Sequence, residues 1–243
     1  MKNKFLAFLI LGLGLGAASL LPGSQTATAA SGMTAAEVIA RCAEALGGLD
    51  KIQAVKTLRI GAVFPDHGER VLFNEVWRPN KSYNPQGLLA FDGKRACFLK
   101  GEDGRSEPKL IDPAELWDYD VEIAYYFPAF FEFPTEYLGS DSVDGRTVHK
   151  IRPKLPHGAD LVYMIDASTW LPYKTNVRIT LDGQFHETER IFSDYKNVDG
   201  ILYPHGFTYP SRDRKSAIQG RIVSVEINIP LDEAHFIVPE GIK

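Results

Sequence analysis

Cysteine is scarce in this 243-residue chain, which has only Cys42 and Cys97. That count excludes a disulfide-dense scaffold and any four-cysteine zinc module. It leaves two readings open, a single Cys42–Cys97 disulfide or two buried thiols. After the first thirty residues no second run of 18 apolar residues occurs, so nothing else in the sequence reads as a membrane-spanning helix. No segment clusters lysine and arginine, and the net charge is -4. An acidic chain without a basic patch is a poor partner for nucleic acid or for an anionic membrane surface.

Catalytic signatures are missing too. There is no G-x-S-x-G, H-E-x-x-H, P-loop, G-x-G-x-x-G or C-x-x-C. His186-Glu187 begins like a zinc-protease motif, but Arg190 stands where the second histidine belongs. The six histidines are scattered, several beside turns. Asp141, Asp144, Asp182, Asp194 and Asp199 sit in or near turn signals, where short carboxylates bond the local backbone. The sequence therefore offers no catalytic residue, metal site or cofactor, and the expected protein is not an enzyme.

What is present starts with an export leader. Lys2 and Lys4 precede the apolar run Phe5–Leu21, and Ala27-Thr28-Ala29-Ala30 supplies small residues for cleavage near Ala30. No cysteine stands at the end of that run to carry a lipid. The expected organisation is a cleaved signal over 1–30 and one domain over 31–243, released into the periplasm. Loss of Lys2 and Lys4 takes the net charge from -4 to -6.

The mature segment opens with a helix. Thr34 and Glu37 form a capping box, Gly47-Gly48 ends the element, and Val38, Ile39, Cys42, Ala45 and Leu46 fall on one stripe. Ile52 and Val55 suggest a second helical turn leading into a strand over Thr57–Val63. From there Asp-Gly pairs recur as turn signals between alternating segments, cleanest in Tyr173, Thr175, Val177 and Ile179. A meander of eight or more strands, too long for the available helices to cover, tends to curl. The fold expected is mainly β (α+β), a single curved antiparallel sheet forming an unclosed barrel. An N-terminal helix and short helices or loops would cover its concave face.

One segment stands apart. Tyr125, Tyr126, Phe127, Phe130, Phe131 and Phe133 place six rings within YYFPAFFEFP, where Pro128 and Pro134 prevent a regular helix or central strand. Stiff aromatic rings suit either plain core or the wall of a cavity for flexible apolar chains. Trp77, Phe91 and Phe98 on neighbouring strands are further candidates for such a wall.

The stretches EVWRPNKSY and FDGKRACFLKGED, with Trp77 and Arg78 in the first and Cys97 in the second, resemble the periplasmic outer-membrane lipoprotein carriers of the LolA/LolB type. VDGRTVHKI, IDASTWLPYKT, FSDYKNVDGILYPHGF and the closing LDEAHFIVPEGI resemble the same family in the same order. The resemblance implies an unclosed barrel whose helical lid covers an apolar cavity for acyl chains. It implies that Arg78 holds the lid through hydrogen bonds to backbone. It also places Cys97, at a position where the carriers have tryptophan, on the inward face near Cys42. The function it implies is a monomeric carrier of lipid or acylated lipoprotein, receiving cargo from a membrane-bound donor and passing it to an acceptor. An envelope sensor of the same fold is the alternative, and a periplasmic hydrolase is a third reading.

Overall fold

A computed structural model describes residues 32–79, 81–86, 89–99, 107–113, 128–155, 159–181, 183–211 and 215–242. The chain divides into units 1–32 and 33–243, and every helix and strand described belongs to the second. Helix α1 (Ala35–Leu46) is capped as its sequence dictates, with the Glu37 backbone N–H donating to Thr34 Oγ1 and the Thr34 N–H to Glu37 Oε2. Gly47 ends it with φ 122°, and α2 (Leu49–Ala54) follows. A side chain at Gly47 would stand 2.1 Å from the Gly200 carbonyl oxygen, so only glycine lets the end of α1 press this closely on the sheet.

Thirteen strands form one sheet among the described residues. The first six are β1 (Thr57–Val63), β2 (Val71–Trp77), β3 (Lys81–Asn84), β4 (Leu89–Phe91), β5 (Ala96–Phe98) and β6 (Lys109–Ile111). The other seven are β7 (Thr135–Val143), β8 (Arg146–Pro153), β9 (Asp160–Asp166), β10 (Pro172–Leu181), β11 (Gln184–Val198), β12 (Ile201–Pro210) and β13 (Ala217–Ile227). Every pairing is antiparallel, and β1 pairs with β13, so two meanders run outward from a central seam to edges at β6 and β7. The sheet is not closed. Helix α1 nevertheless touches both β12 and β7. Those strands are five steps apart, about 24 Å across a flat sheet, whereas a helix with its side chains is only about 10–12 Å wide. The sheet must curl around α1 for both contacts to exist.

The register assigns the faces. Leu58 pairs with Val76, Val76 with Ser82, Ser82 with Phe91 and Phe91 with Ala96, all on the helix-covered face. Val38, Cys42, Leu58, Ile60, Ile151, Leu161, Tyr163 and Ile165 form the centre of the main core there. On the other face Glu75, Tyr83, Ala90 and Cys97 are successive partners. The C-terminal tail covers them. Val238 packs on Ala90 and Cys97, Phe236 meets Trp77 edge-on at 5.8 Å, and His235 stacks on Tyr83 at 4.6 Å.

This arrangement decides the state of the cysteines. Both are free and buried, with Cys42 in the main core and Cys97 against Val238 on the opposite face. The inward placement of Cys97 is corrected, because its neighbours Ala96 and Phe98 take the helix-covered face instead. The sheet stands between the two sulfurs, so no bond forms. Burial pushes both thiols up from their ordinary pKa.

Candidate functional site

The connection from β6 to β7 must carry the chain between opposite edges of the sheet. Twelve strand steps span about 58 Å if flat, and the two dozen residues available reach about 80 Å fully extended. The aromatic segment belongs to this connection. Tyr125, Tyr126 and Phe127 lie outside the described residues. Pro128–Pro134 is described, and its centre Ala129–Phe131 is one turn of 3₁₀ helix.

That turn packs on the helix-covered face. Phe130 is 3% exposed and lies edge-on to Tyr163, with ring centroids 4.8 Å apart. Ala129 N–H donates to the buried Tyr163 hydroxyl oxygen at 2.9 Å. Phe131 stacks tilted on Phe130 at 4.6 Å, and Phe131 and Phe133 pack against the main core. Burial raises the Tyr163 phenol, which stays a neutral hydrogen-bonding group.

Arg78 joins the pieces of the cover. It follows β2 directly, and its own N–H donates to Lys56 O at 3.0 Å. Its guanidinium donates to the carbonyls of Ile52 and Val55, at 2.5 and 3.1 Å, where α2 ends. The same group pairs with the Glu132 carboxylate on the aromatic turn. Burial lowers the Arg78 pKa, opposed by Tyr203 nearby. The side chain is 11% exposed, so the pair is largely withdrawn from water. Ile52 O also accepts from the Val55 N–H at 3.4 Å, and its second lone pair is free to take the guanidinium.

Between these parts lies an apolar cleft. Leu46 and Ile52 line it from the helices, Pro128 and Phe131 from the aromatic turn, and Tyr195, Ile201 and Tyr203 from the sheet. Its volume is about 20 Å³. That holds one water and no acyl chain. The cleft is a narrow seam between separate elements. A larger groove of about 520 Å³ opens at the sheet end beside Trp77, Ile229, Pro230 and Leu231, but it is broad and solvent-facing.

A third attachment holds α1 to the sheet edge. The Arg41 guanidinium lies 4.7 Å over the Trp170 ring, which stacks on His149 at 4.9 Å. His149 Nδ1 is 3.0 Å from Tyr137 Oη. Trp170 adopts φ 60°, a left-handed conformation uncommon outside glycine. The turn is fixed by Asp166, which accepts from the Ser168 and Thr169 N–H groups and from Arg146.

The candidates from sequence therefore divide. Arg78, Phe130, Phe131 and Phe133 converge on the cover. Phe91 and Phe98 share its face of the sheet but form a separate cluster with Ala96 and Ile111. Trp77 stands on the opposite face against Phe236, because Val76 takes the inward position, and so it cannot line the cleft. Glu132, Tyr163, Tyr195 and Tyr203 join the site without having been candidates. An acid embedded in an aromatic run is the one sequence signal among them, for Glu132. Among the described residues no group of three His, Cys, Asp or Glu side chains could hold a metal ion, and no helix is long and apolar enough to cross a membrane.

An open, curled antiparallel sheet covered on one face by a helix pair and a crossover turn defines the class as an unclosed half-barrel. In that class the chain's fold is similar to solved open half-barrels. It is similar to a LolA superfamily protein from Nitrosomonas europaea with a TM-score of 0.53 at 12% identity, covering 85% of this chain and 98% of that one. It also aligns with a DUF1329 family protein from Desulfovibrio piger at TM-score 0.49 and 14% identity, over 82% of this chain and 97% of that one. The first likeness carries the fold assignment, and at such identities only the fold is shared. No protein-family model and no curated protein matches the sequence.

Proposed function

We propose that the protein is exported through a cleaved leader over 1–30 and works in the periplasm as a carrier of lipid or acylated protein. It shields acyl chains on the helix-covered face on their way toward the outer membrane. The observation that carries this reading is the Arg78 latch, in which one half-buried guanidinium ties α2 and the aromatic turn together over an apolar seam.

Magnitudes fit a carrier better than a permanent lipid store. Enclosing a sixteen-carbon chain gains up to about 12 kcal/mol, at roughly 0.8 kcal/mol per methylene. Breaking three hydrogen bonds of a charged group costs about 6 kcal/mol at about 2 each. Cargo can open the latch, and re-forming the latch helps expel cargo. The remaining roughly 6 kcal/mol corresponds to binding weaker than micromolar, which permits release. The scaffold uses no cofactor and no catalytic group in this scheme.

Arg78→Leu is the test. It keeps uptake of a fluorescent acyl probe but slows handover to acceptor vesicles, because closing no longer drives release. Handover at the unaltered rate would remove Arg78 from the mechanism.

A further inference from the structure

We propose that the helix-covered face carries a cradle for the oxyanion head of a lipid, built on Arg190 with Thr175 beside it. The preferred cargo is then an acyl lipid ending in a carboxylate or a phosphate. The proposal rests on the lipid-carrier reading and names the class of cargo that its site selects.

The sheet register puts the two residues side by side. Tyr163 of β9 pairs with Thr175 of β10, and Thr175 pairs with Arg190 of β11. Directly opposed residues of an antiparallel pair share a face, so Arg190 belongs to the row that begins at Tyr163 in the main core. On its far side the Arg190 guanidinium carbon lies 5.2 Å from the centre of the Phe207 ring and 5.7 Å from that of Tyr209. Phe64 packs against both rings, at 5.1 and 5.8 Å. The Tyr209 hydroxyl donates to Asp66 on the turn after β1, so the ring is what it presents to Arg190. Alternation along β11 calls for an apolar residue at 190, as it does at Phe192, which is 5% exposed. Arginine breaks that pattern.

The chemistry of the pair suits an oxyanion. A guanidinium stacks its flat side on aromatic rings and keeps its N–H edge for a planar acceptor. Carboxylate and phosphate match that edge with two parallel hydrogen bonds. Thr175 is the second, independent sign. It is 1% exposed, and its Oγ1 has no hydrogen-bond partner among the described residues. A buried hydroxyl left unsatisfied is costly, and folded proteins ordinarily supply a partner. Side chains opposed across a strand pair stand about 5 Å apart. One oxyanion held by Arg190 therefore comes within reach of the Thr175 O–H and accepts from it.

The cradle is also placed for a tail. Tyr195, which walls the seam between the helices and the aromatic turn, lies five residues along β11, about 16 Å away. A lipid with its head at Arg190 sends its chain over Phe192 toward that seam. A neutral lipid of equal length buries the same chain and lacks the head contact. The difference in affinity between the two isolates the cradle.

The experiment measures displacement of N-phenylnaphthylamine from the delipidated mature protein by palmitate, hexadecyl phosphate and hexadecanol. The unaltered protein is expected to take either anionic lipid at least about tenfold more tightly than the alcohol. Arg190→Gln is expected to abolish the preference with hexadecanol affinity unchanged, which also shows that the variant has folded. Thr175→Val keeps the shape, removes the hydroxyl and is expected to narrow the preference by a smaller factor; it carries the test if Arg190→Gln does not fold. Arg178→Gln, on the opposite face of β10, is expected to change nothing. Equal affinities in the unaltered protein, or a preference undiminished in both variants, would overturn the cradle while the carrier reading stands. Displacement of bound palmitate by inorganic phosphate would assign the site to a free anion and overturn the lipid head. If no form takes up the probe or any of the lipids, the carrier reading fails and the cradle with it.

Discussion

The sheet is sealed on both faces by short irregular segments, and the two seals are built differently. On one face the C-terminal tail inserts Phe236 and Val238, each 1% exposed, and Arg95 Nη2 donates to the Val238 carbonyl. On the other, the aromatic turn buries Phe130, 3% exposed, but leaves a seam at its margin and adds an ion pair and a tyrosine hydroxyl to its hold. Apolar burial in a filled site is lost all at once when a side chain is removed. A polar latch over a seam can open and close at moderate cost. The first design suits permanence and the second suits exchange, and that contrast can be tested by breaking each seal.

The largest effect is expected from Phe236→Ala. Removing a fully buried phenyl ring costs about 3–5 kcal/mol, so thermal unfolding should shift strongly downward while probe affinity is unchanged. A change in affinity without loss of stability would reverse the roles assigned to the two faces. Arg78→Leu comes next. It removes a donor from the Ile52 and Val55 carbonyls and from the Glu132 carboxylate, which should lower the stability measured by denaturant unfolding. Its distinctive signature is handover to acceptor vesicles slowed by about tenfold or more, roughly 1.4 kcal/mol of the latch's contribution to release.

The smallest effect concerns α1. Burial, reinforced by Arg41, holds His149 below the ordinary histidine pKa. The unfolded chain then takes up protons first as pH falls below about 6.5, so the native state loses stability through that range and keeps it above. The unfolding midpoint followed from pH 8 to 5 should decline below that point, and His149→Gln should flatten the decline. Asp166 acts in a lower window. Burial alone would raise its pKa, but hydrogen bonds from Ser168 and Arg146 hold it well below the carboxylate range. Its contribution is present above about pH 4 and is lost on further acidification.

Much of this architecture can be read from residue order. Thr34, Glu37 and Gly47 set the ends of α1, and β1 spans the expected Thr57–Val63. The long strands β10 to β13 show the alternation and Asp-Gly turns that belong to a half-buried meander. The short strands beyond β2 are harder. A three-residue strand such as β5 has too few positions for a face pattern, so residue order does not reveal that Ala96 and Phe98, rather than Cys97, hold the inward side. Trp77 misleads for a related reason, since its large ring finds an equally apolar home under Phe236.

The site is legible only where chemistry is local. Arg78 lies in a motif with a family resemblance, and the aromatic run announces itself. Tyr163, Tyr195 and Tyr203 meet the turn only because the sheet curls, and curvature depends on packing across many strands. Glu132 reaches Arg78 across 54 positions of sequence.

The central claim is that a chain-sized apolar guest enters beneath a cover that is closed at rest. Native mass spectrometry of the delipidated mature protein titrated with an acylated peptide tests it most directly. The account predicts a complex of one acylated peptide per chain, absent with the same peptide lacking its acyl group. Equal binding of both peptides, or of neither at saturating concentration, would contradict it.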